Sequence, residues 1–330
     1  MIYFDRIKYY LRNNDFYVRY LQSRVNDIRY FIKNLSYYFK YYHIRKDKEV
    51  KGNTIYFILD SRLPHPGLAD RLKVTACIYY IAKINGFDFR LIVDDNFSLP
   101  DFLSENEVHW NADKDELSYS LRNTRLLAYN GSGKIPKLNR RVKQYHIYFY
   151  IGKNILLSNN IPNYERVWTT CYRELFKPSP FLQQMIEMQG LEENSYIAVH
   201  LRFVNALEQF ELGFFNNLDD TGRQKLIYRC LAALDDLRKK NSPCPIVVFS
   251  DSFTFLKHAK VDNYLVLDGK IGHLSHCAGD KDTMLKTFID YYMISRARSI
   301  YMITAPEMYL SVFSTYAALT GGKDIRVIHV

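Results

Sequence analysis

Residues 195–202 read Ser-Tyr-Ile-Ala-Val-His-Leu-Arg, a short apolar strand that ends in a histidine and an arginine. Side chains alternate along a strand, so His200 and Arg202 share one face and Leu201 points to the other. In an open α/β sheet, ligands bind at the carboxyl ends of the strands. The arginine fork suits phosphate oxygens, and histidine can hydrogen-bond a base or a hydroxyl. The pair therefore indicates a nucleotide-diphosphate contact, unless Arg202 pairs with a nearby carboxylate and His200 is a satisfied core residue.

The chain after this strand alternates between two hydrophobic periods, one typical of strands and one typical of helices. Apolar runs bounded by turn residues predict strands at 245–250, 264–268, 299–303 and 325–330. Apolar residues at helical spacing predict helices at 221–240, 253–259, 282–297 and 307–319, the last ended by Gly321 and Gly322. Strands that alternate with helices predict a parallel, doubly wound sheet.

The first half of the chain shows the same alternation with a weaker signal. It predicts a strand at 54–60, a helix at 71–84 and a strand at 88–93. From about 94 to 141 the pattern fades, and only loops and short helices are predicted there. Pro178 and Pro180 interrupt the chain before a helix predicted at 181–189. We therefore expect an α/β protein with two Rossmann-like domains, 51–180 and 181–330, which contain parallel sheets and face each other across a cleft.

A basic, tyrosine-rich segment precedes these domains and is predicted to be helical. Residues 1–50 hold 11 Lys/Arg against 5 Asp/Glu, which leaves +6 of the net charge of +10. A basic helix rich in aromatic side chains can lie on an anionic membrane surface. It can equally pack on its own domain or on a second subunit. The charge also permits nucleic-acid binding, but no nucleic-acid motif accompanies it, so we expect no nucleic-acid partner.

Length and composition set further bounds. The 330 residues suffice for two domains, and an apolar content of 48% supports real cores. No apolar run approaches the ~20 residues that span a bilayer, and no signal-peptide core is evident at the amino terminus. The five cysteines are scattered and odd in number, without the spacing of metal ligands. We therefore expect reduced structural thiols in a cytoplasmic protein.

A second motif lies between the first predicted strand and the helix that follows it. Residues 66–72 read Pro-Gly-Leu-Ala-Asp-Arg-Leu, and Gly67 can adopt backbone angles that bring the chain close to a ligand. The start of a helix presents free N–H groups and a positive dipole to an anion. Asp70 can instead cap that helix.

Two Asp-x-Asp sequences, at 113–115 and 280–282, have the spacing used by metal-dependent glycosyltransferases. Both lie in charged stretches away from any predicted strand end, so we interpret them as solvated loops or helix caps. His273, His276 and Cys277 lie close together, but no second pair of ligands is near them in sequence. We expect no metal site.

These segments together resemble the GT-B-like fucosyltransferases, a family that includes nodulation, core-fucosylating, plant cell-wall and bacterial capsule enzymes. Residues 67–72 are similar to the family's Gly-Leu-Gly-Asp-Arg-Leu loop, and His200-Leu-Arg202 is similar to its His-x-Arg motif. Residues 249–252 are similar to a strand-end segment of the family, and the region from 290 to 314 is similar to its final motif. The similar segments follow the family's order.

The resemblance implies roles for individual residues. It implies that His200 contacts a guanine nucleotide, that Arg202 holds the diphosphate, and that Asp251 helps to recognise guanine. The other donor-binding residues that it implies are Gly67, Leu68, Asp70, Arg71, Ser311 and Ser314, with Thr304 as an alternative to the two serines. It also implies a catalytic carboxylate beyond the His-x-Arg strand, where Glu208 and Glu211 are found, although both can instead be ordinary surface charges. It further implies that Arg202 stabilises the departing diphosphate.

Two departures from the family pattern bear on the donor. Phe203-Val204-Asn205 stands where the family has a second arginine and a downstream aspartate, and Ala69 replaces a glycine.

The resemblance implies a metal-independent, inverting fucosyltransferase with GDP-fucose as donor substrate and no cofactor. Its acceptor would be an oligosaccharide or polysaccharide of a bacterial surface, bound on the side of domain 51–180, with domain 181–330 binding the nucleotide sugar. We expect it in the cytoplasm, at the inner face of the membrane. The alternatives are another nucleotide-sugar donor, or a non-catalytic glycan- or nucleotide-binding protein.

Overall fold

The structure is a computed structural model, and it describes residues 32, 39–42, 50, 52–60, 67–94, 98–128, 135–209, 218–272 and 280–330. Most of the predicted N-terminal helical segment lies outside the described residues. The described chain forms two compact units that are interleaved in sequence. Unit 1 takes its described residues from Met1–Asp60, Cys77–Ile92 and His109–Tyr164, and unit 2 from Ser61–Ala76, Val93–Val108 and Glu165–Val330.

The described residues form both strands and helices. The strands are β1 (Thr54–Asp60), β2 (Asp88–Asp94), β3 (Leu103–Glu105), β4 (Thr124–Leu127), β5 (Gln144–Ile147), β6 (Phe176–Pro178), β7 (Ile197–Leu201), β8 (Ile246–Ser250), β9 (Ser299–Thr304) and β10 (Ile325–His329). The α-helices are α1 (Leu68–Asn85), α2 (Lys153–Ser158), α3 (Tyr164–Leu175), α4 (Pro180–Glu187), α5 (Asp220–Asn241), α6 (Phe253–Val261), α7 (Lys281–Arg296) and α8 (Val312–Gly321). None of the described helices is long and apolar enough to cross a membrane.

The sheet of unit 1 has the strand order β2-β1-β5-β4. Strand β5 pairs in parallel with β1 on one side and with β4 on the other. All seven residues of β1 are buried, which explains why residues 55–59 form a continuous apolar run instead of an alternating one.

The sheet of unit 2 has the order β10-β9-β7-β8, and every pairing in it is parallel. The chain passes from β7 to β8 on one side and then returns to β9 on the other side of β7. The direction of strand order therefore reverses beside β7, which makes its carboxyl end the topological switch point where ligands bind in such sheets. A separate antiparallel pair joins β3 to β6.

Strand β7 shows how the sequence positions His200. Ile197, Val199 and Leu201 belong to the hydrophobic cluster that also contains Leu226 of α5 and Val248 of β8. Because alternate side chains point to opposite faces, Ala198 and His200 lie on the other face of the sheet. The alternation predicted from residues 195–202 is confirmed.

The predicted strands and helices of the second half are confirmed with shifts of one or two residues, apart from two errors. Residues 264–268 are not a strand, because only Leu265 forms a parallel bridge, to Val247, and Tyr264 is the only buried side chain of that run. The last helix begins at Val312 instead of 307, because Ser311 caps it and the Tyr309 N–H donates to the carbonyl oxygen of Arg202.

In the first half, the strand at 54–60 is confirmed, and the helix predicted at 71–84 extends over α1. The weakly patterned region 94–141 contains β3 and β4 with short 3₁₀ turns at Leu99–Asp101 and Lys114–Glu116. Its strands are only three and four residues long, too short to give a clear hydrophobic period.

Candidate functional site

A cavity of about 300 Å³ opens at the carboxyl edge of the unit 2 sheet. Its volume is at the lower end of the range found for small-molecule pockets. The polar residues that line it include His200, Arg202, Asp251, Lys286, Asp290 and Ser311. All residues that line the cavity belong to unit 2, including 67–70 of the glycine-containing loop.

His200 is the last but one residue of β7 and forms part of the pocket wall. It is 5% exposed, and its ring lies against Phe313 with 5.7 Å between ring centroids. Its Nδ1 atom is buried and makes no hydrogen bond to any described residue. Burial, together with the nearby Arg202 cation, lowers the pKa of His200 to about 3. A neutral imidazole with an unused ring nitrogen is suited to a hydrogen bond with a ligand.

Arg202 follows β7 directly and lines the same pocket. Its Nε lies 3.7 Å from Oδ2 of Asp251, so the alternative considered from the sequence, a pairing with a nearby carboxylate, is present. The Asp251 carboxylate also accepts hydrogen bonds from the backbone N–H groups of Phe203, at 2.8 Å, and Val204, at 2.9 Å. Burial raises the pKa of Asp251, and Arg202 and these two N–H donors oppose that effect.

The turn after Arg202 is strained and is held in place by Asp251. Val204 has φ +54°, in the left-handed region that a β-branched residue rarely adopts. Both carboxylate oxygens of Asp251 bind this turn. Asp251 lines the pocket, and its hydrogen bonds to this turn give it a structural role besides the contact with guanine that the resemblance implies.

Two helices begin at the pocket. Helix α1 begins at Leu68, and Gly67, Leu68, Ala69 and Asp70 all line the cavity. Helix α8 begins after Ser311, whose Oγ accepts a hydrogen bond from the Phe313 N–H at 3.1 Å. Helix N-termini carry unpaired N–H groups and partial positive charge, so both favour an anion in the pocket.

The predicted donor-binding residues differ in whether they line the cavity. Asp70 lies in the first turn of α1, where it pairs with Lys73 instead of capping the helix. Arg71 is buried in α1, and Ser314 is fully buried with its hydroxyl donating to the sulfur of Met302 at 3.9 Å. Neither Arg71 nor Ser314 lines the cavity, and Thr304 does not line it either. Of the two serines and Thr304, Ser311 is the one that the structure brings to the pocket.

Glu208, one of the two predicted catalytic carboxylates, does not line the described pocket. Glu208 accepts hydrogen bonds from the Ser252 hydroxyl at 2.8 Å and from the Thr254 N–H at 3.1 Å. Through these contacts the carboxylate supplies an acceptor for an otherwise unpaired N–H in the first turn of α6 and holds the hydroxyl of its N-cap residue, Ser252, so it acts as part of a helix cap. Glu211 lies outside the described residues.

Sequence reasoning missed one pair in the pocket wall. Lys286 and Asp290 lie one turn apart on α7, and the ammonium donates to both carboxylate oxygens. An i, i+4 pair of opposite charges usually indicates a solvated helix face, but here both side chains are largely buried. The sequence placed Asp290 at the start of the segment that is similar to the family's final motif, but no role was assigned to either side chain.

The described residues contain no group of three or more His, Cys, Asp or Glu side chains that could hold a metal ion. Asp280 caps α7 through the Thr283 N–H, as its interpretation as a helix cap predicted. His273, His276 and Cys277 lie outside the described residues. Of the other cysteines, Cys77, Cys171 and Cys230 are buried.

Comparison with known proteins finds similarity in structure. No protein-family model matches the chain, and no curated protein sequence matches it significantly. The NodZ alpha-1,6-fucosyltransferase soaked with GDP-fucose is similar at a TM-score of 0.55 and 13% identity, over 82% of this chain and 93% of that chain. An arginine-to-lysine mutant of Arabidopsis thaliana FUT1 in complex with GDP is similar at a TM-score of 0.52 and 14% identity, over 90% of this chain and 74% of that chain. The fucosyltransferase NodZ from Bradyrhizobium is similar at a TM-score of 0.53 and 12% identity, over 81% of this chain and 92% of that chain.

These identities are low, so the comparisons establish the fold. The parallel sheets of both units agree with the predicted fold class. The chain therefore has a GT-B-like α/β fold with Rossmann-like units, similar to that of the NodZ and plant FUT1 fucosyltransferases.

Proposed function

We propose that this protein is an inverting glycosyltransferase that transfers fucose from GDP-fucose to a hydroxyl of a bacterial surface glycan. The observation that carries the proposal is the convergence of the Arg202 guanidinium and the N-termini of α1 and α8 on one pocket at the switch point of a parallel sheet. This combination of positive groups suits a diphosphate. The solved structures with a similar fold include a fucosyltransferase soaked with GDP-fucose and another in complex with GDP.

In the proposed reaction, the acceptor oxygen forms a bond to the anomeric carbon as the bond from that carbon to the diphosphate oxygen breaks. The electron pair goes to the departing diphosphate, where Arg202, the Ser311 hydroxyl and the helix N–H groups stabilise the negative charge. The buried, neutral His200 binds the nucleoside part of the donor through its unused ring nitrogen. Gly67 and Leu68 bring the backbone of the α1 start close to the phosphates.

The acceptor proton must pass to a base, and Glu208 and Glu211 are the candidates from the sequence. Both oxygens of Glu208 are engaged in the cap of α6, which counts against Glu208 and leaves Glu211 as the preferred base of the two. In that case the Glu208 carboxylate stabilises the fold through the cap of α6 and takes no part in the reaction.

One assay tests these assignments together. Release of GDP from GDP-fucose is measured with a panel of glycan acceptors for wild type, Arg202→Ala, Glu208→Gln and the control Arg238→Ala, whose ion pair with Asp235 lies outside the pocket. We expect turnover in wild type, Glu208→Gln and the control, and loss by about 100-fold or more in Arg202→Ala. Thermal unfolding of each variant shows whether it is folded. Wild-type turnover no faster than that of folded Arg202→Ala would contradict the proposal.

A second candidate is a protein of the same fold that binds another nucleotide sugar, or that binds a nucleotide or glycan without catalysis. The specific observation in its favour is Val204, which lines the pocket near the position where the resemblance implies a second arginine. Turnover with a UDP-sugar or a CDP-sugar in place of GDP-fucose would favour a transferase with another donor. Nucleotide binding without wild-type turnover of GDP-fucose, UDP-sugars or CDP-sugars would favour the non-catalytic protein.

We further propose that the basic N-terminal segment holds the protein on the inner face of the membrane, with 11 Lys/Arg in residues 1–50 as the support. Tyr41 is buried in unit 1 and hydrogen-bonds His146 at 2.7 Å, so a deletion should stop before it. Removal of residues 1–38 is expected to abolish sedimentation with anionic vesicles. Unchanged sedimentation would contradict the membrane proposal and leave the transferase proposal intact.

A further inference from the structure

The pocket wall contains a buried ion pair to which no role has been given above. Lys286 and Asp290 both line the cavity, and their side chains are only 7% and 14% exposed. The Lys286 ammonium lies 2.5 and 2.6 Å from the two Asp290 oxygens. An ammonium has three N–H donors, and these contacts engage two of them.

The position of Lys286 is fixed from two sides. Asp290 binds its ammonium, and its aliphatic stem packs against Gly269, where an added Cβ would lie 2.6 Å from Cδ of the lysine. Gly269 has φ +136°, a conformation that other residues rarely adopt. A larger residue at 269 would displace the lysine. Lys286 is therefore a cation held in one place, unlike the more exposed Lys270, which also lines the pocket and pairs with Asp280.

A buried ion pair is poorly explained by stability alone. Removing two charges from water is costly, and apolar residues of similar volume often stabilise a protein as well or better. The pair has the same arrangement as Arg202 and Asp251, a cation at the pocket with a carboxylate that fixes it. A diphosphate carries several negative charges, and Phe203, the residue after Arg202, is buried against Phe255 in the core and supplies no second cation.

We propose that Lys286 is a second cation of the phosphate site, with Asp290 as its positioning residue, and that Lys286 donates to diphosphate oxygens alongside Arg202. The inference rests on the proposed function for the class of ligand, a nucleoside diphosphate. Charge-assisted contacts of this kind are made directly by lysine in many phosphate sites.

The test removes the pair without leaving a buried charge unpaired. The double variant Lys286→Met with Asp290→Leu is compared with wild type and with Lys260→Met plus Asp268→Leu, which removes an exposed ion pair of 2.7 Å outside the pocket. Both changes leave the net charge of the protein unchanged. The dissociation constants of GDP and UDP are measured by calorimetry, and that of guanosine by ligand-observed NMR.

We expect the Kd of GDP to rise about 10- to 100-fold in the Lys286 double variant and to stay within about twofold in the control. The Kd of guanosine should not change, because a nucleoside has no phosphate for Lys286 to bind. An unchanged Kd of GDP, or an equal loss for GDP and guanosine, would overturn the inference, since the second result indicates a distorted pocket.

Failure of the proposed function would look different. Binding of UDP in place of GDP by wild type would overturn the donor assignment, and Lys286 would then be tested with UDP and uridine. Binding of neither nucleotide by wild type would overturn both proposals.

A crystal structure of wild type with the bound diphosphate tests the role of Lys286 even if the double variant does not fold. It should show Lys286 Nζ about 3 Å from a phosphate oxygen, and a lysine that makes no phosphate contact would overturn the inference.

Discussion

At the scale of single residues, polar side chains at the pocket are held by contacts inside the protein. Asp251 binds two backbone N–H groups and faces Arg202, and Asp290 binds Lys286. Each carboxylate is largely buried, and each fixes a cation at the pocket. A ligand would therefore meet charged groups that are already oriented, which lowers the cost of ordering them on binding.

Two buried histidines make a residue-scale prediction about pH. Burial lowers the pKa of His200 and of His146 to about 3, against about 6.5 for an exposed histidine. Between these values the unfolded chain binds more protons than the folded chain, so stability falls as the pH falls. From pH 6.5 to 5.5 we expect each histidine to lower the free energy of unfolding by about 1 kcal/mol.

Urea unfolding at both pH values measures this effect. The variant His146→Gln should lose about half of the pH dependence, whatever it does to stability at neutral pH. A pH dependence in this range that is the same in wild type and His146→Gln would show that His146 is not buried in its neutral form.

The residues of the site differ in how far the sequence could reveal them. His200 and Arg202 were found because a strand end in a parallel sheet fixes where two alternate side chains go. Lys286 was missed because an i, i+4 pair of opposite charges is more often solvated, and burial depends on the loop at Gly269. Ser311 and Ser314 both came from the resemblance to the family's final motif, and the cap at Ser311 is what shows which of the two hydroxyls lies at the helix start.

At the scale of elements, the carboxyl end of α8 fixes how this helix packs on α7. Gly321 is so close to α7 that an added Cβ would lie 2.1 Å from the carbonyl oxygen of Ser295. Gly322 follows with φ +68° and ends the helix in a left-handed cap, as the Gly-Gly stop predicted. The two adjacent glycines therefore serve different purposes, close approach and chain reversal.

Their substitutions should differ in the same way. Gly321→Ala is expected to destabilise the protein by roughly 2–3 kcal/mol, because the backbone of α7 or α8 must move. Gly322→Ala should cost about 1 kcal/mol, the cost of a left-handed alanine. Chemical denaturation of both variants measures the difference. A larger loss for Gly322→Ala than for Gly321→Ala would contradict this packing.

Elements with buried strands were the easiest to predict. The runs at 54–60 and 246–250 are buried throughout and are apolar except at Thr54, Asp60 and Ser250, because both faces of their sheets are covered. The run at 264–268 has a similar composition, but only Leu265 pairs with a neighbouring strand. Its N–H donates to the carbonyl oxygen of Ile246, and its carbonyl oxygen accepts from the N–H of Val248. Composition cannot show whether an apolar run has a partner strand.

At the scale of the whole molecule, the chain forms two units that exchange short segments. The described residues within 61–76 and 93–108 belong to the unit that contains the C-terminal sheet, although in sequence they come before the last strands of the N-terminal sheet. Continuous domains at 51–180 and 181–330 follow naturally from a linear pattern, whereas interleaving depends on contacts between residues far apart in sequence. The glycine-containing loop at 67–70 thereby lines a pocket of the same unit as His200 and Arg202.

The measurement that tests the central claim most directly is the thermal unfolding of the whole protein with GDP, GDP-fucose, UDP and CDP. A ligand that binds only the folded state stabilises it by about 2.7 kcal/mol at 100 times its Kd. We predict a rise in Tm with GDP and GDP-fucose, a smaller one or none with UDP and CDP, and no rise in Arg202→Ala. A wild-type Tm that no GDP ligand raises, or a GDP effect that persists in Arg202→Ala, would contradict the assignment of this pocket as the GDP-fucose site.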